Sequence, residues 1–472
     1  MTHSKQSTTD SIVSKHVDAP IDDPAFHLDV LDELSYNADV DGAVPLASDP
    51  DNRYPYVYPR DVASITRAWL TALRHDVRPD VCRARIVDAA RFLIAVEDDG
   101  WWYQRYGLDG TDQSIYRQED NVAHGIRIIS HAVLALDASD DLESVDEAFL
   151  SNAVESIDAA VAVACSELYD ANAHLIESTT SIHEGAIESG YTLWVNCAFL
   201  AALQQAADAL DRIEAAGLSG DVSRTEDIDS SGGIDTVALD DIVERVGKLR
   251  SLLEPGVERC FAVDGTTVPR RYTLDGDRDE RPDITLLAPA YFGLEEVFGE
   301  HAVRAAERAA ASLQDPRLGG LQRFRGFYHD HDVHQHGGNG PWMQYTAWHA
   351  QFRYDREECE RGDEVLSTII GHTDATGHIP EHLSTRERFE QFVEQEWDTG
   401  SDFEKEFDDN VLRDVSFDRI AEELGHMRTA YNEMAAALEE RDVISFAAPL
   451  AWSHAEFLTA LLKRERGRDP HA

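Results

Sequence analysis

The sequence predicts an all-α protein, a ring of helical hairpins whose functional loops gather at one mouth. Three observations lead there. Apolar residues recur at three- and four-residue steps through most of the chain. Strand signals are few and short, Arg271 to Thr273 being the clearest. The helical stretches are joined by loops of alternating length, and the long loops hold most of the Trp, Tyr, His and Gly residues.

Taken in order, residues 1–24 are polar and rich in Ser and Asp, and read as a frayed arm. Helical periodicity then covers Asp61–Arg74, Asp80–Val96, Gln118–Leu136, Val145–Tyr169, Thr192–Glu214, Thr236–Leu253, His301–Leu313, Thr346–Glu360, Ser416–Glu439 and Pro449–Lys463. The low-complexity run 219–233, SGDVSRTEDIDSSGG, has helical pattern on both sides and reads as a surface loop within one domain of residues 25–466, with 467–472 as a tail. A chain of 472 residues is longer than one simple core usually supports, which suits either a closed barrel or two domains.

Asp and Glu number 90 against 42 Lys and Arg, a net charge of -48 spread along the whole chain. Such a surface repels itself in dilute buffer and either is relieved by screening in molar salt, as in a halophile, or meets a cationic ligand; the even spread and the scarcity of Lys favour the halophile. It is a poor partner for nucleic acid. Cys82, Cys165, Cys197, Cys260 and Cys359 are scattered, odd in number and without a CxxC pair, and read as buried free thiols of a reducing compartment. No leader pattern and no membrane-spanning run is read in the sequence, so the expected location is cytoplasmic.

Six segments carry candidate chemistry. In YPYVYPRDVASITRAWL, Arg60 and Asp61 open a helix after Tyr54, Tyr56 and Tyr58. Asp61 suits a helix N-cap, but aromatic faces beside a guanidinium and a carboxylate also suit a sugar, whose rings stack and whose hydroxyls take bidentate hydrogen bonds. WWYQRYGLDG and RQEDNVAHGIRI place Trp101, Gln118 and Asp120 near a helix start, where the last two also suit capping. ESTTSIHEGAIESGYTLWVNCAFLAAL sets His183, Glu184 and Glu188 ahead of an apolar helix; partial burial there would raise a carboxyl pKa toward that of a general acid. GGLQRFRGFYHDHDVHQHGGNGPWMQYTAWHAQF holds Arg323, Asn339 and Trp342, and its His329, His331, His334 and His336 lack the helical spacing of a metal site, so no metal is assigned. TGHIPEHLS holds Glu381 and His382, and PLAWSHAEFLTALL holds Trp452, His454 and Glu456.

In order and content these segments resemble glycoside hydrolase family 15, the glucoamylase family, over roughly Asp41 to Leu462. The resemblance implies an (α/α)6 barrel without the β-sandwich domain that precedes it in many prokaryotic relatives. It also implies an inverting, exo-acting α-glucosidase that needs no cofactor, with Glu184 as general acid, Glu381 as general base and Glu188 as the alternative acid. Tyr58, Arg60, Asp61, Gln118, Asp120, His183, Arg323, Asn339, Trp342, His382 and Trp452 would line the sugar site. His183 stands where the family has Trp, His382 where it has Gln, Tyr58 where Trp is common, and Gly340 is an insertion, so substrate preference is more open than mechanism. The expected partner is an oligosaccharide or disaccharide α-glucoside, with neither nucleic acid nor membrane. Trehalose, isomaltose or another disaccharide is the alternative substrate, and a carbohydrate-binding or regulatory barrel without turnover is the non-enzymatic alternative.

Overall fold

The computed structural model describes residues 19–50, 54–114, 117–137, 147–183, 189–216, 219–220, 234–263, 267–325, 340–392, 436 and 442–468. Its helices form an (α/α)6 barrel. The inner ring consists of α2 (Pro59–Arg74), α4 (Asp120–Asp137), α6 (Leu193–Ala215), α8 (Ala288–Tyr291) with the 3-10 turn Ile284–Leu287 leading into it, α11 (Met343–Asp355) and α14 (Ala451–Arg468). Each packs on the next, and α14 returns to α2 to close the ring. Outside them lie α3 (Pro79–Ala95), α5 (Glu147–Val163), α7 (Thr236–Phe261), α10 (Glu300–Leu313), α12 (Cys359–Ile370) and α1 (Pro24–Glu33), which covers α14. Two short helices, α9 (Glu295–Phe298) and α13 (Arg386–Phe392), complete the set among the described residues.

Position in the barrel explains the two kinds of helix. Inner α4 is buried without a break from Asp120 to Val133, because neighbours surround it. Outer α10 buries Ala302, Ala305, Ala306, Ala309 and Leu313, one stripe at three- and four-residue steps flanked by His301 and Ala310, and exposes Arg304 and Ala311 on the far side. Close packing sets individual residues too. A Cβ on Gly125 of α4 would lie 2.1 Å from the Trp102 ring, so only glycine admits the indole, whose Nε1 donates to the Leu93 carbonyl at 2.7 Å.

Several expectations need correction. The Thr236–Leu253 pattern continues to Phe261, through Pro255. The single helix read over Thr346–Glu360 is two: α11 ends at Asp355, Glu357 takes a left-handed φ of 60°, and α12 starts at Cys359. Of the five free cysteines, Cys82 and Cys197 are buried, whereas Cys165 is exposed and Cys260 and Cys359 are half-buried. Ala148–Leu168 is long and apolar enough to cross a membrane, which the sequence reading passed over; here it packs on α3, α4 and α7 as an outer barrel helix. The pattern at Ser416–Glu439 falls, but for residue 436, outside the described residues, as do residues 221–233 of the low-complexity run.

A small antiparallel sheet joins distant loops at the barrel's mouth. Leu321–Gln322 pairs with Pro341–Trp342, that strand with His382–Thr385, and that with Val443–Phe446. Gly340 has its reason here: a Cβ on it would stand 1.8 Å from the Leu383 carbonyl oxygen, so glycine lets the two strands close.

Candidate active site

The inner helices bring their N-termini together. Arg60, the second residue of α2, lies 3.7 Å from Asp120, the first of α4. Trp194, the second of α6, donates Nε1 to the same carboxylate at 2.8 Å. Trp452, the second of α14, has its ring 5.7 Å from the Arg60 guanidinium carbon. Helical side chains lean toward the N-terminus, so these residues all project into one mouth. Asp61 is buried in the first turn of α2, but the cap position belongs to Tyr58, with Pro59 following. The N-cap reading of Asp61 therefore fails; a carboxylate in the first turn is still favoured by the helix dipole.

Glu381 is 9% exposed and its backbone is held on both sides. Its N–H donates to the Phe446 carbonyl at 2.9 Å, and its carbonyl accepts from the Met343 N–H at 2.8 Å. On the side chain, Oε2 lies 3.4 Å from the Tyr54 hydroxyl and 3.1 Å from His382 Nδ1. Facing a carboxyl oxygen, His382 Nδ1 is the donor of this pair. The His382 ring is sandwiched between Trp342, at 4.6 Å and 12°, and Phe446, at 4.0 Å and 11°, because the three are direct cross-strand neighbours.

From there the contacts close a circuit. The Arg323 guanidinium lies over the Trp342 ring at 4.9 Å. Arg323 Nε donates to His183 Nδ1 at 2.9 Å and its Nη2 to the Ile182 carbonyl. Arg60 Nη1 reaches the Ser181 carbonyl at 3.4 Å. Tyr58, next but one to Arg60, meets Tyr54 edge-on at 6.2 Å, and Tyr54 returns to Glu381. Residues read from segments hundreds of positions apart thus share one ring of contacts, with Asp120 and Trp452 behind Arg60. Against burial, which alone would raise it, His124, Arg60 and Trp194 hold the Asp120 carboxyl below its ordinary value.

The other sequence-predicted residues sit around this ring. Tyr58 accepts from Arg105 Nη1 at 3.3 Å. Gln118 adopts a left-handed φ of 49°; its N–H donates to Thr180 Oγ1 at 2.9 Å and its side-chain oxygen accepts from Asn121 at 3.3 Å. Trp452 donates Nε1 to Glu456 at 3.1 Å, which leaves its ring face toward Arg60. Glu184, Glu188, Asn339 and the four histidines from His329 to His336 lie outside the described residues.

Sequence reasoning missed several members. Glu119 is buried, bonded to Thr179 Oγ1 at 2.6 Å, and burial raises its pKa. Asp283 bonds His183 at 3.1 Å and Arg270 at 2.8 Å. In RPDITLL its local signal is only that of a cap on Thr285, a role it also fills, at 2.9 Å. Ser453 and His454 stood in a quoted motif without a role. Ser453 Oγ donates to the Pro380 carbonyl at 2.9 Å, and His454 Nε2 accepts from the Ile379 N–H at 3.0 Å, so the start of α14 holds the Glu381 loop.

That anchor is pH-sensitive. Since His454 Nε2 accepts, Nδ1 carries the hydrogen and donates to His27 Nδ1 at 2.9 Å, while His27 Nε2 donates to the Ile21 carbonyl at 2.8 Å. Both rings must be neutral for this chain of bonds. Burial lowers His27 to about 4 and His454 well below its ordinary value, and also lowers His124 and His349 to about 4. Between roughly pH 6.5 and 4 the unfolded chain therefore binds more protons than the fold, and stability rises with pH across that window. In molar KCl, where general charge repulsion is screened, the melting temperature should fall on acidification from about pH 7 to pH 4. A flat or rising profile would mean that these histidines are charged in the fold.

No protein-family model matches this chain, and no curated protein sequence matches it either. Solved structures do. A glycosidase variant aligns with a TM-score of 0.55 and 15% identity, over 94% of this chain and 96% of that one. The glucoamylase of Saccharomycopsis fibuligera aligns with a TM-score of 0.53 and 12% identity, over 94% of each chain. The fold is the helical barrel of these proteins. A glycosidase variant in complex with glucose is similar too, with a TM-score of 0.52 and 14% identity over 94% of this chain and 96% of that one. At these identities the likeness is one of architecture, and the chemistry must be argued from the site.

Proposed function

We propose that this protein is a glycoside hydrolase, an inverting exo-acting α-glucosidase of the glucoamylase type. The observation that carries this reading is the ring of contacts around Glu381: a nearly buried carboxylate between Tyr54 and His382, at the helix-lined mouth, beside the aromatic face of Trp342 and the guanidinium of Arg323. Aromatic faces stack on pyranose rings and guanidinium groups grip hydroxyls. Glu381 serves as general base, activating a water on one face of the sugar, and Glu184 as general acid, protonating the leaving oxygen on the other. An inverting pair leaves room for that water, with carboxyl groups about 6.5–9.5 Å apart. Arg60, Asp61 and Arg323 hold the terminal glucose, and no cofactor is needed. The net charge of -48 supports a protein adapted to molar salt.

The test is hydrolysis of a panel of maltooligosaccharides, isomaltose and trehalose by the purified protein, from dilute buffer to molar KCl, followed by proton NMR. The expected result is release of glucose whose first-formed anomer is β, at a rate that rises with salt. Sugar binding without turnover would replace the enzyme with a binding barrel, and an α anomer would replace inversion with retention.

A further inference from the structure

We infer that Asp283 is a positioning residue, which through the ring of His183 fixes the guanidinium of Arg323 at the sugar-binding mouth. The inference rests on the glycosidase reading for its consequence, though its geometry stands alone. Arg323 Nε donates to His183 Nδ1 at 2.9 Å. A guanidinium has no lone pair to offer, so Nδ1 must accept, and the hydrogen of the neutral ring sits on Nε2. That hydrogen points at Asp283 Oδ2, 3.1 Å away. A carboxylate and a guanidinium thus face the two nitrogens of one imidazole, and the carboxylate dictates which nitrogen is left as the acceptor for Arg323.

The surroundings hold the triad in place. His183 is fully buried and Asp283 nearly so. Phe324 meets the His183 ring edge-on at 5.6 Å and 85°. Asp283 Oδ2 also accepts from Arg270 Nη1 at 2.8 Å, and Oδ1 caps the Thr285 N–H at 2.9 Å. Burial alone would raise the Asp283 pKa, but the bond from His183 and the charge of Arg270 reverse the effect and hold it well below the usual carboxylate range. The carboxylate therefore stays ionised, and the tautomer stays set. With that tautomer, Arg323 is held at Nε by His183 and at Nη2 by the Ile182 carbonyl, with its face against Trp342 at 4.9 Å.

Asp283→Asn separates this role from mere structure. Its amide oxygen can still cap Thr285, while its NH2 group, turned to Nε2, favours the hydrogen on Nδ1, where it opposes the Arg323 donor. Loss of a hydrogen bond to a charged group should lower kcat/KM about 10- to 100-fold. His183→Asn supplies the control, since its amide oxygen offers an acceptor with no tautomer to be set. In the His183→Asn background, Asp283→Asn still loses its contact with Arg270, which Asp279 goes on pairing at 2.8 Å, but no longer resets a tautomer, so its cost should be several-fold smaller than in wild type. Equal losses in both backgrounds would overturn the inference in favour of a purely structural Asp283. A readout independent of turnover is the side-chain 15N spectrum of histidine-labelled protein, with His183→Asn assigning the signal: wild type should show the Nε2–H form and Asp283→Asn the Nδ1–H form. An unchanged tautomer in Asp283→Asn overturns the positioning role. A changed tautomer in a protein that hydrolyses no α-glucoside upholds it and overturns the glycosidase reading instead.

Discussion

Glu381→Gln should remove nearly all turnover, a fall of roughly 10²- to 10⁴-fold in kcat, with KM and melting temperature close to wild type. Glutamine matches glutamate in shape and can still accept from Tyr54 and His382, but it cannot take a proton from water. The loop would stay in place because backbone bonds to Phe446 and Met343 hold position 381, and Ser453 and His454 hold Pro380 and Ile379. Steady-state kinetics on a maltooligosaccharide, beside a thermal melt, checks both halves. A fully active Glu381→Gln would end its assignment as the base. A variant that is inactive because it is unfolded would place Glu381 among the structural residues.

The largest effect on stability is expected deeper in the barrel. Glu456 is wholly buried and gathers Arg67, Gln351 Nε2 at 2.7 Å, the Tyr291 hydroxyl at 3.0 Å and Trp452 Nε1 at 3.1 Å. Burial would lower the Arg67 pKa, yet Glu456 and Tyr291 outweigh it and the value is raised, so the guanidinium keeps its charge against the Glu456 carboxyl. Removing one partner leaves the other charge buried alone, at a cost of about 3–5 kcal/mol. Glu456→Ala and Arg67→Ala should each lower the denaturation midpoint accordingly, whereas Arg67→Met with Glu456→Leu should recover part of the loss, since two apolar groups strand no charge but take an acceptor from Gln351, Tyr291 and Trp452. Single variants within about 1 kcal/mol of wild type would show that water or a neighbour replaces the missing partner.

Legibility in the sequence followed the range of the interaction. Helix α2 was read from Asp61 to Arg74 and α10 from His301 to Leu313, each within two residues of its observed start, because a helix buries one stripe and a 3.6-residue period records it. Where a contact from elsewhere decides, local pattern fails. The break between α11 and α12 coincides with Arg353 pairing with Glu358 at 2.9 Å and with Glu307 on another helix. The mouth's sheet escaped notice because its strands are two to four residues long, too short for a period of two to stand out, and pair across segments from Leu321 to Phe446.

The site divides in the same way. Residue types and their order by themselves determined the all-α class and singled out the candidate segments, with Arg60, His183, Arg323, Trp342, Glu381 and Trp452 among them, since the order and content of six motifs, and not any one local signal, mark them. Only the tertiary structure decided which of these touch. It set His382 between Trp342 and Phe446, made Asp61 a first-turn carboxylate instead of a cap, and turned Asp283 from a local cap into the partner of His183, a hundred residues away. Hydrogen bonds and ring stacking act over a few ångströms of space, whatever the distance along the chain, and a sequence records only the latter.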